Sequence, residues 1–222
     1  MAYKFKYAML AVIILLTVTS CQKVVDLKLS NADAQLVIEG NVTNARGPQA
    51  VTISRTVPFT NTNIFPSISG ATVTIGDGRG NIYKLIEGTT PGTYITNAFT
   101  GRAGLTYTLT IVVDGKTYTG SSTMPAAVVF DPLSYADDAF DTGSKSVTVN
   151  FHDPIIVPNQ YRFVMYVNSV QIKDIFTSND DFADGGYVNL ELYQSDVKIK
   201  AGDTVAVEEQ CIDKNMYTYW FS

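Results

Sequence analysis

In Gly70-Ala71-Thr72-Val73-Thr74-Ile75, the residues Ala71, Val73 and Ile75 fall on one side of an extended chain and the threonines on the other. A period of two is what a strand with one buried face shows. The run ends in Gly76-Asp77-Gly78-Arg79-Gly80, a turn-rich hairpin signal. Downstream, Gly92-Thr93-Tyr94-Ile95-Thr96 alternates again, and Thr106 to Val113 places Tyr107, Leu109, Ile111 and Val113 on a common face. Asp114-Gly115 is a type I′ turn candidate leading into Lys116-Thr117-Tyr118-Thr119, so these two runs are expected to pair as a hairpin. Upstream, Leu36 to Val42 reads as a strand closing into the turn Asn44-Ala45-Arg46-Gly47-Pro48, and Ala50 to Arg55 as the next. Strands about ten residues apart, with no period of 3.6 between them, indicate an all-β chain built as a sandwich.

Pro125 and the step Ala126-Ala127 mark a boundary. The expected division is a β-sandwich over 34–125 and a second sandwich-like unit over 126–222. In the second, Val147, Val149 and Phe151 alternate with polar residues, as do Tyr161, Phe163, Met165 and Val167, and then Val205 and Val207 after the turn Ala201-Gly202-Asp203. Leu190 to Ile199 suits a short helix or a strand equally. Aromatics crowd Asn215 to Phe221, and so apolar a segment is expected to need cover from more chain or from a partner.

The amino terminus carries a different message. Lys4 and Lys6 precede the apolar run Ala8 to Thr17, which is about half the ~20 residues a membrane-spanning helix requires. Residues 1–20 therefore read as a cleavable export signal. Val18-Thr19-Ser20-Cys21 resembles the lipobox read by lipoprotein signal peptidase, which makes Cys21 the lipid-bearing first residue of the mature chain and 21–33 a lipidated tether. Acyl chains contribute about 0.8 kcal/mol per buried CH₂, so a multiply acylated cysteine is a stable anchor. The covalent lipid is the only prosthetic group expected; no cofactor is implied.

Removing residues 1–20 takes Lys4 and Lys6 from 16 basic residues and nothing from 21 acidic ones, leaving a formal charge of −7. Nucleic acid is excluded as a partner on that balance, because phosphate binding needs concentrated Lys and Arg. With Cys21 lipidated, Cys211 has no partner for an internal disulfide and reads as a small buried hydrophobe.

Catalytic chemistry finds little support. The lone histidine, His152, lacks a second His or a placed Cys to make a zinc or triad set and reads as structural or superficial. The loop Asn179 to Gly186 offers Asp180, Asp181 and Asp184 as candidate cation ligands. An EF-hand laid from Asp180 puts Phe182 where an oxygen is required, and a solvated turn is the preferred reading. Asp137, Asp138 and Asp141 read the same way. No nucleophile elbow, phosphate-cradling glycine loop or CxxC is present, so no catalytic residue is assigned. Thirteen tyrosines and eleven phenylalanines are enough to fill two cores and still leave a stacking platform for a sugar or peptide.

The order of several segments resembles the domain-of-unknown-function-4249 lipoprotein family of the Bacteroidota. They run from Lys23-Val24-Val25-Asp26-Leu27 after the lipobox, through Leu36 to Thr43, Val51 to Thr56, Gly70 to Ile75, Gly104 to Val113 and Ser122-Thr123-Met124-Pro125. They continue with Asn159-Gln160-Tyr161-Arg162-Phe163, Asp180-Asp181 with Asp184-Gly185, Gly202-Asp203 and Ile212-Asp213 to Tyr217 and Tyr219. The resemblance implies a first domain of transthyretin-like or carboxypeptidase-regulatory-like (Ig-like) form. It also implies a second domain lacking a C-terminal segment that family members carry beyond Ser222. It further implies an outer-membrane lipoprotein, periplasmic or cell-surface in face, that serves a TonB-dependent receptor in ligand capture, with the ligand unspecified. The alternatives are an adhesive or structural envelope lipoprotein acting through protein contacts and, least, a hydrolase.

Overall fold

The computed structural model describes residues 33–58, 62, 64–181, 184–194 and 197–221. The export signal, Cys21 and the tether up to residue 32 lie outside them. The described chain is all-β apart from one terminal helix.

Seven strands form the first sheet: β1 (Leu36–Asn41), β2 (Ala50–Arg55), β3 (Thr72–Gly76), β4 (Ile82–Glu87), β5 (Thr93–Ile95), β6 (Thr106–Val113) and β7 (Lys116–Thr123). Their order is β1-β2-β5-β4-β3-β6-β7, antiparallel throughout. The sheet curls on itself. Val51 and Ile53 of β2 share one buried cluster with Val73 and Ile75 of β3 and with Tyr107, Ile111 and Val113 of β6, so the alternation read from the sequence sets the inner face. Tyr94 of β5 is also buried there, its hydroxyl accepting from Ala71 N and donating to Ile68 O, both at 2.9 Å. Those partners are what make burial of a phenol tolerable. Asp114 and Gly115 sit at φ 51° and 71°, as the expected two-residue turn between β6 and β7 requires.

The remaining strands are β8 (Ser134–Asp137), β9 (Lys145–His152), β10 (Gln160–Val167), β11 (Val170–Gln171), β12 (Phe176–Asn179), β13 (Tyr187–Glu191) and β14 (Val205–Ile212). One sheet runs β13-β9-β8; in the other, β10 carries β11 and β12 along one edge and β14 along its full opposite edge. The two lay their apolar faces together. Val147, Val149 and Phe151 of β9 share a cluster with Tyr161, Phe163, Met165 and Val167 of β10, and the Phe151 ring meets Tyr161 edge-on at 4.8 Å. No residue is common to the two clusters. The Ser122 hydroxyl donates to the Asp213 carboxylate across the connection.

Two segments left open by the sequence resolve. Tyr187–Glu191 is a strand, and Leu192–Gln194 is neither helix nor strand. The aromatic terminus is helical, α1 (Lys214–Phe221). Asp213 caps it, its Oδ1 accepting from Asn215 N at 2.8 Å and Met216 N at 3.0 Å. Tyr217 and Phe221, one helical turn apart, stack at 5.4 Å. Cys211 is half-buried against the second cluster rather than fully enclosed, because β14 is the edge of its sheet. Burial still pushes its thiol pKa up.

Candidate functional site

Antiparallel order throughout the first sheet makes β1, β3 and β5 run one way and β2, β4 and β6 the other. The connections β1–β2, β3–β4 and β5–β6 therefore emerge at the same end. Each carries one arginine: Arg46, Arg79 and Arg102. The three line one cleft of about 380 Å³, walled by Tyr83, Phe99 and Tyr107.

Local chemistry holds the backbone at each arginine in place. Arg79 sits in a turn that Asp77 knits from within: Oδ1 accepts from Arg79 N at 2.9 Å and Asn81 N at 3.1 Å, and Oδ2 from Asn81 Nδ2 at 2.6 Å. Gly78 and Gly80, at φ 71° and 95°, supply the left-handed steps the turn needs. The Asn81 amide, followed by the Arg79 backbone, holds the Asp77 carboxyl below its ordinary range, so it is a charged structural element of the turn. Arg102 is fixed from both sides, its backbone N–H donating to Tyr107 Oη at 2.8 Å and its carbonyl accepting from Leu105 N. Arg46 precedes Gly47, which exchanges backbone hydrogen bonds with Phe99 at 3.0 and 3.3 Å. Phe99 in turn stacks on Tyr83, centroids 4.0 Å apart and planes within 10°.

None of these three guanidinium groups meets a carboxylate among the described residues. The other two arginines of the chain are occupied: Arg55 pairs with Asp114 at 2.9 Å, and Arg162 donates to Gln210 and lies 4.0 Å over the Trp220 ring. A cleft with three unpaired guanidinium groups, a phenol and a stacked aromatic pair has the means to bind an anion.

The acidic loop behaves differently. Carboxylate oxygens of Asp180 and Asp184 come within 4.8 Å of each other and of Asp153, which follows β9; Asp181 turns aside to accept from Asn179 Nδ2 at 2.7 Å. Asp181 and Asp184 are exposed, whereas Asp153 is 4% and Asp180 9% exposed. Each member of the trio accepts from a neighbouring segment: Asp153 from the Tyr161 hydroxyl of β10, Asp180 from Asn159 N at 2.8 Å, Asp184 from Ile156 N at 2.6 Å. Burial, and next Asp153 itself, push the Tyr161 hydroxyl pKa far up, so it stays a donor. This arrangement staples loops at one end of the second pair of sheets.

His152 is exposed and meets the Tyr187 ring edge-on at 4.9 Å. Asp137 pairs with Lys145, Asp141 with Lys198 at 2.9 Å, and Asp138 accepts from Phe140 N and Asp141 N. No helix among the described residues is long and apolar enough to cross a membrane. A family model described as a domain of unknown function, DUF4249, matches residues 22–222. No curated protein and no solved structure matches the chain.

Proposed function

The chain belongs to the DUF4249 family, and from that premise we propose that it is a non-enzymatic lipoprotein of the outer membrane, anchored through Cys21, which captures a ligand for a TonB-dependent uptake receptor. The arginine cleft is the observation that supports capture: it is preorganised by turns and holds cationic groups that no acid of the described chain satisfies. Support for the anchor is the lipobox-like Val18-Thr19-Ser20-Cys21, and for the receptor and the Bacteroidota setting the segment order set out above. A transthyretin-like form for the first unit belongs to the same reading, and fits a scaffold that presents loops at one end of a sheet.

Tagged, lipidated protein isolated from its own membranes is expected to bring down an outer-membrane receptor at stoichiometric level. Recovery without any receptor would end the accessory role.

A second reading, assembly through protein contacts, draws support from β14, whose outer edge pairs with no strand among the described residues over Val205–Ile212. It predicts concentration-dependent association of the purified chain, measurable by light scattering, with no receptor needed.

A further inference from the structure

We infer that the cleft between the β1–β2, β3–β4 and β5–β6 connections binds a small soluble ligand bearing two or more oxyanion groups, carboxylate or phosphate, on a compact planar or apolar body. The inference rests on reading this cleft as the capture site, and names what is captured.

Charge distribution comes first. The chain is acidic, with a formal charge of −5, and has five arginines; three of them converge here. Arginine rather than lysine is the informative choice, because its planar fork meets a carboxylate or phosphate through two parallel hydrogen bonds. Asp77, the acid in the lining, spends both oxygens on its own turn and so leaves the three guanidinium groups unquenched at contact range. The lining then carries a net charge of about +2, enough for a ligand with two anionic groups and too little for a nucleic-acid track.

Shape and polarity narrow the ligand further. A volume of about 380 Å³ falls at the lower end of small-molecule sites, which run from roughly 300 to 1,000 Å³. The Tyr83–Phe99 stack gives the cleft an apolar wall, and the Tyr107 hydroxyl, which accepts from Arg102 N, retains its own proton for a ligand oxygen. Three turns fixed by internal hydrogen bonds hold the backbone beneath the arginines, so the ordering left to be done on binding is confined to their exposed side chains.

The test is isothermal titration of the full mature chain, in detergent at low salt, with citrate and with pyrophosphate as separate probes and glycerol as the neutral control. Saturable binding of citrate or pyrophosphate is expected, weakening by roughly tenfold for each arginine removed and lost in R46Q/R79Q/R102Q. The comparison of the two probes assigns carboxylate or phosphate. If the triple variant melts early, R79Q and R102Q alone carry the same comparison. Absence of binding by both probes, affinity unchanged in the variants, or binding confined to vesicles of anionic phospholipid would overturn the inference. A receptor that fails to co-purify, with the titration intact, would remove the accessory role and leave the ligand class standing.

Discussion

Single side chains set what this molecule does with pH. Glu209, on the inward parity of β14 beside Val207 and Cys211, has Oε1 buried without a partner, and burial pushes its pKa up to about 7 from 4.5. The folded state therefore holds a proton that the unfolded chain releases near pH 4.5, so stability falls as pH rises from about 4.5 to 7 and then levels. Solvent reaches part of this edge strand, which trims the effect to about 1 kcal/mol. Thermal melts of wild type and E209Q are expected to diverge across that window, the glutamine variant losing less; parallel curves would refute the assignment. Asp77 acts in the opposite sense. Its carboxyl is held down by Asn81 first and the Arg79 backbone next, so its contribution is present above pH 4 and lost as pH falls through the folded value. At this scale the sequence was least legible. The turns around Arg46 and Arg79 could be read from their glycines, but that they and Arg102 share a cleft depends on strand order, which no local pattern encodes. Asp153 was invisible as the partner of Asp180 for the same reason, since a return of the chain brings them together.

Elements were more legible, because alternation is written locally. Val73, Ile75, Ile111, Phe151, Phe163 and Met165 are all buried where a period of two puts them. Truncating Phe163, 1% exposed at the centre of β10, is expected to cost about 3–5 kcal/mol, measured by denaturant unfolding, without touching the cleft. The terminal segment stayed open because aromatic residues suit either period. What selects the helix is Asp213, whose side chain satisfies two backbone donors that a strand would not present. Its replacement by Ala is expected to lower stability by about 1 kcal/mol and to loosen Trp220 from Arg162, visible as a change in tryptophan fluorescence. Gly101 connects element to site. A Cβ there would meet Thr43 O at 2.7 Å, so G101A is expected to cost about 1–3 kcal/mol and to move Arg102, weakening oxyanion binding more than its stability loss alone explains.

At the scale of the whole molecule, two separate apolar clusters support a division of labour, in which the curled first sheet presents the cleft and the second pair of sheets, stapled at its loops, presents a long open edge. Neither task requires catalysis. On the function proposed above, both depend on the protein staying at a membrane where ligand and receptor meet, and that proposal rests on Cys21. The direct test is intact mass spectrometry of the protein extracted from its native membranes. The account predicts a chain beginning at Cys21 and heavier than its polypeptide by a diacylglycerol, with a further acyl group on the amine, and predicts that C21A is shed into the soluble fraction. A chain with Cys21 unmodified, or a C21A variant still bound to membranes, would contradict it.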